Sequence, residues 1–147
     1  MGLLQENIGV MMPLIVERFA RQTVAASLTS VQLNTVATDA TSGTLAVTQM
    51  TMPFAGSICA IALATSAAAG AGQLSVVPTV NGTAVGASAL TTTITTAQKA
   101  YTTTESGLIN FNAGDQVGVQ VTTNGAWNGT TADLLVELYV MLVDARF

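Results

Sequence analysis

Trp127 is the residue with the most promise as a recognition group. It is the single tryptophan and stands between Asn124-Gly125 and Asn128-Gly129, in a stretch of Gly, Asn and Thr. An exposed indole there would stack on a sugar ring or anchor a partner, with the amides of Asn124 and Asn128 completing a candidate ligand loop. The competing expectation folds the ring back over the end of the fold. For catalysis the inventory is poor. There is no histidine, which removes Ser-His-Asp and Cys-His chemistry and the commonest metal ligand. Cys59 sits in an apolar segment with no neighbouring base or cation, so a packed thiol is expected rather than a nucleophile. Asp133 and Asp144 bracket an extended segment and would stand more than about 30 Å apart, whereas a glycosidase pair needs about 5 to 10 Å. Asn110, Asn112 and Asp115 hold oxygens suited to Ca²⁺, but Gly114-Asp115 reads first as a turn closed by an Asx hydrogen bond. No catalytic residue, metal or cofactor is expected, and the chain does not read as an enzyme.

The elements that would carry these residues are strands. Val117, Val119 and Val121 alternate with Gln116, Gly118, Gln120 and Thr122, the period of a half-buried strand. In Asp133 to Val143, Leu134, Val136, Leu138, Val140 and Leu142 share one face, while Leu135, Glu137, Tyr139, Met141 and Val143 share the other. A strand so apolar on both sides is central or lies at an interface. Gln73 to Val80 alternates as well, and Asn81-Gly82 behind it fits a tight hairpin turn. The Thr-rich runs at 91–96 and 102–104 predict polar strands, because Thr is β-branched. Regularly spaced short strands predict an antiparallel β-sandwich over residues 31–147.

Residues 1–30 read differently, with bunched apolar positions. Pro13 suits the first turn of a helix, and Glu17 with Arg21 forms a favourable i,i+4 pair, so a short helix is expected near 13–26, with an extended arm as the alternative. This arm would grip a partner through Leu3, Leu4, Ile8, Met11, Met12, Leu14, Arg18 and Arg21.

Charge bounds the partners. Only 8% of residues are charged, against about 25% in an ordinary soluble domain, and none lies between Asp39 and Lys99. Mean hydropathy is +0.54. A surface with so little like-charge repulsion fits a subunit covered by neighbours better than a free monomer. Net charge of −4 with four scattered basic residues argues against nucleic acid. The apolar centre of Pro53–Gly72 is too short for a membrane span, and no secretory leader is read at Met1–Val16, so synthesis in a cytosol is expected.

Several short motifs fall in a familiar order: Pro53-Phe54-Ala55-Gly56, Val80-Asn81-Gly82, Phe111-Asn112-Ala113-Gly114-Asp115-Gln116-Val117, then Leu134 to Val140. Over about residues 45 to 143 the chain resembles the jelly-roll modules of phage decoration (cement) proteins and fibre tips, and more distantly the C1q and tumour-necrosis-factor heads. The resemblance implies a jelly-roll homotrimer with an N-terminal segment on the virion. The expected function is a capsid decoration protein, a structural component that stabilises a phage head by contact with its major capsid protein. Leu135, Glu137, Tyr139 and Met141 are the expected trimer contacts. The alternative is a glycan- or receptor-binding tail-fibre tip using Trp127.

Overall fold

In the computed structural model, described here for residues 13–35 and 47–143, alternation dictates the long strands. Strand β11 (Gln116–Thr123) sends Val117, Val119 and Val121 into the core, all fully buried. Strand β12 (Leu134–Leu142) buries Leu134, Val136, Leu138, Val140 and Leu142 and leaves the intervening residues half-buried or exposed. Each such side chain contributes about 1.5–3 kcal/mol on leaving water.

The other strands are β1 (Leu14–Arg21), β2 (Val31–Gln32), β3 (Asn34–Thr35), β4 (Gln49–Thr51), β5 (Gly56–Thr65), β6 (Leu74–Val80), β7 (Thr83–Ala84), β8 (Thr92–Ile94), β9 (Lys99–Thr103) and β10 (Asn110–Phe111). A single helical turn, α1 (Ala87–Leu90), precedes β8. In the first sheet β9 and β10 follow one another along β5, which pairs with β12, then β1, then β3. In the second, β2 and β4 follow one another along one edge of β11, whose other edge pairs with β6, and β6 carries β7 and β8. All pairs are antiparallel. The chain passes repeatedly between the sheets, and this strand order is that of a jelly roll. Between the sheets, Phe19, Ile58, Ile61 and Leu63 meet Leu74, Val76 and the three valines of β11.

The helix expected over 13–26 is instead β1. Eight residues of β1 pair in register with β12, from Leu14↔Met141 to Arg21↔Leu134. The i,i+4 pair of Glu17 and Arg21 is worth only a few tenths of a kcal/mol, roughly 0.2–0.5, too little to outweigh that ladder and the burial of Phe19. Residues 14–35 therefore belong to the sandwich, and the expected boundary at residue 30 falls inside it.

Turn chemistry accounts for the remaining joints. Asn81 (φ 51°) and Gly82 (φ 79°) form a two-residue hairpin between β6 and β7, both in the left-handed region that Asn and Gly tolerate. The register of β5 against β12 slips by one residue at Cys59, a β-bulge. Of the Thr-rich runs, Thr92–Ile94 and Thr102–Thr103 are strand, and Thr92 and Thr102 join their hydroxyls at 2.7 Å.

Candidate functional site

Because side chains alternate, the outward residues of the first sheet can be read in rows across its strands. One row runs Ala20, Leu135, Ala64, Lys99; the next Arg18, Glu137, Ala62, Tyr101; the third Val16, Tyr139, Ala60, Thr103. Leu14 beside Met141 extends the face at one end. Leu14 is 57% exposed, Tyr101 76% and Leu135 39%. Three outward alanines make β5 a low floor between Tyr139 and Tyr101, and the resulting trough of about 380 Å³ is lined by Ala60, Ala62, Tyr101, Thr103 and Tyr139. This is an apolar sheet face with relief.

One polar cluster interrupts it. Arg18 Nε donates to Glu137 Oε1 at 3.0 Å, and the Tyr139 hydroxyl donates to Glu137 Oε2 at 2.9 Å. The Arg18 hydrogen bond, then that of Tyr139, holds the Glu137 carboxyl below its ordinary value of 4.5. Glu137 in turn raises the Tyr139 phenol above 10.0. Among the described residues, the strands of the second sheet contain no charged residue. Their outward side chains include Gln32, Gln49, Thr51, Ser75, Thr93, Gln116 and Gln120. That polar face suits water; the first suits cover.

The four expected contact residues, Leu135, Glu137, Tyr139 and Met141, all lie on the first face. Leu14 and Arg18, expected in a separate arm, lie there too, as part of β1. Arg21 pairs with the buried Leu134 and points to the other side of the sheet. Leu3, Leu4, Ile8, Met11 and Met12 are outside the described residues. Sequence reasoning missed Val16, Ala20, Tyr101 and the alanines of β5. The alternation of Ala60, Ala62 and Ala64 with Ile61 and Leu63 was the available signal.

Trp127 is not an exposed platform. The ring is 2% exposed, and its Nε1–H donates to the carbonyl of Val24 at 3.1 Å. Its loop is tied down by the two asparagines proposed as ligand groups. Asn128 Oδ1 accepts from Gly70 N and Ala71 N, and Asn124 Oδ1 accepts from Gln73 N. A Cβ on Gly129 would come within 2.5 Å of the indole, so the loop backbone lies flat on the ring. The candidate ligand loop is thus corrected to a plug, with Trp127 closing one end of the sandwich over Val24. An apolar ring with one donor gains more there than in water.

The remaining candidates are structural. Asp115 accepts Asn112 N–H at Oδ2 and the Asn81 amide at Oδ1, which lowers its pKa and commits both oxygens to the turn. Cys59 Sγ donates to Tyr139 O at 3.4 Å, and burial raises its pKa, away from thiolate chemistry. Among the described residues no three His, Cys, Asp or Glu side chains gather into a metal-binding group, and no helix is long and apolar enough to cross a membrane. No protein-family model matches the sequence, and no curated protein matches it.

Proposed function

We propose that this chain is a non-catalytic structural subunit of a virion, a homotrimeric capsid decoration protein whose copies meet on the outer face of the first sheet. The observation that carries the reading is that face, where the exposed Leu14, Leu135 and Tyr101 share one side of the sheet with an alanine-floored trough walled by Tyr101 and Tyr139. Monomeric domains seldom gather several large exposed apolar side chains on one sheet face in water. The jelly-roll strand order and the near absence of charge support the same reading. In this account Leu3, Leu4, Ile8, Met11 and Met12 supply the contact to the major capsid protein, and the particle is where the protein resides.

Mass in solution tests the first clause. A trimer of three 14.9 kDa chains is expected at micromolar concentration, and Leu135→Glu should return it to a folded monomer. A wild-type protein that stays monomeric would overturn the reading. For the capsid contact, deletion must stop at residue 12, because β1 is a strand of the sandwich. Without residues 1–12 the trimer should form and fail to bind capsids; undiminished binding would remove the arm from the contact.

A further inference from the structure

We infer that the Arg18–Glu137–Tyr139 cluster is the buried polar centre of the contact between copies and fixes how one copy is set against the next. This rests on the self-association proposed above and names what gives that contact its specificity.

Three observations lead to it. First, the cluster is placed where the fold gains little from it. Arg18 and Glu137 side chains are 59% and 28% exposed in the isolated chain, and ion pairs in water stabilise a fold weakly. Once another molecule covers the face, the same pair loses its water and each partner depends on the other. Second, the face carries little net charge. Arg18 and Glu137 offset one another, which leaves the single charge of Lys99 on the border strand. A strongly charged partner finds little complement there, whereas an identical copy meets little net repulsion. Third, the size approaches what a copy needs. Four strands about 4.8 Å apart and eight residues of about 3.3 Å give a flat footprint of about 490 Å², which side-chain relief enlarges. A specific interface covers about 800 Å² per partner.

An apolar face alone permits sliding, since alanines and a tyrosine-walled trough fit in more than one setting. A desolvated ion pair does not, because a displaced copy leaves a charge facing apolar surface. The groups facing the cluster from the surrounding strands are few. Strand β9 offers Lys99 and Tyr101, β5 only its alanines and the bulged Cys59, and β3 contributes Asn34. Glu17 of β1 pairs with buried Leu138 and so points to the core side.

The test compares dissociation constants by sedimentation equilibrium for wild type, Glu137→Gln, Arg18→Met and the double variant Arg18→Met/Glu137→Met. The buried Trp127 reports in each that the sandwich is folded. Each single variant should weaken self-association by at least about tenfold, since it strands one charge, and the double variant should recover to within a few-fold of wild type. Wild type should hold together between the two limits and come apart as Glu137 is protonated below 4.5 or Tyr139 ionises above 10.0. The double variant should lose the acid limb. Single variants that associate as tightly as wild type would overturn the inference and leave the proposed assembly standing, and so would a double variant as weak as the singles. A wild-type monomer at every concentration would overturn the assembly itself.

Discussion

Replacing Trp127 by alanine separates a structural plug from a ligand platform. The ring is 2% exposed and holds the Val24 carbonyl. Truncating a buried Trp to Ala costs about 3–5 kcal/mol. The carbonyl left without its donor adds about 1 kcal/mol. The expected loss is therefore about 4–6 kcal/mol, a large part of the 5–15 kcal/mol typical of a whole domain. At about 2–4 °C per kcal/mol for a chain of this size, the melting temperature should fall by about 8–24 °C. Urea unfolding at fixed protein concentration, followed by far-ultraviolet circular dichroism, measures it directly. Trp127→Phe keeps most of the ring and loses the N–H, so it should fall between the two proteins. In wild type, iodide should fail to quench the indole until the protein unfolds. A loss below about 1 kcal/mol for Trp127→Ala with an unchanged urea slope would refute the plug.

Leu138→Ala, at a fully buried position midway along β12, should cost about 2–5 kcal/mol by the same unfolding assay. At Gly56 a Cβ would collide with the Met141 carbonyl and sit 2.7 Å from the Phe111 ring, so Gly56→Ala should destabilise by about 1–3 kcal/mol and loosen the β5–β12 end in hydrogen exchange. Asp115, with its pKa lowered below 3.8 by Asn112 N–H and then Asn81, contributes stability that is present above 3.8 and lost as pH falls through the lowered value. Asp115→Asn should flatten that part of the acid limb of a stability–pH profile. Cys59 should react with a maleimide far more slowly in the folded protein than in urea.

What could be read in advance was whatever a single strand declares about itself. The valines of β11 and the leucines of β12 announce two-residue periodicity because one side of each strand is wholly apolar. The turn at Asn81-Gly82 was equally legible, since few residues accept its backbone. Strand β1 was not. Its core-facing row is Ile15, Glu17, Phe19 and Arg21, and two charges in that row hide the alternation and imitate a helical pair. Next to Leu14–Arg18, on the side away from β12, no strand pairs among the described residues. An inward-pointing Glu17 near such an edge, its pKa raised by burial, also discourages unwanted strand pairing. For Trp127 the folded-back ring was one of two expectations, but its partners were not legible. Its N–H bonds Val24, and its loop is held by Gly70–Ala71 and Gln73 through Asn128 and Asn124, and nothing local to the indole points to segments so far away in the chain. The outer face of the first sheet was half legible: β12 gave its residues, while β5 and β9 supply the floor and the far wall.

The position of β12 between β5 and β1 also fixes the order in which the molecule can be completed. Leu14 pairs with Met141, so 141 − 14 = 127 residues must be made before that contact exists. At roughly 5–20 residues per second a ribosome needs about 6 to 25 s for them. Through that interval β1 and β5 both lack the neighbour that fills the space between them. When β12 emerges it closes two ladders in one event, so the first sheet should form late and all at once. Contacts this distant along the chain belong to slow folders. A pause or truncation before residue 134 would leave the apolar residues of β1 and β5 open to other nascent chains, and the yield of soluble protein should depend on how quickly that final strand is delivered.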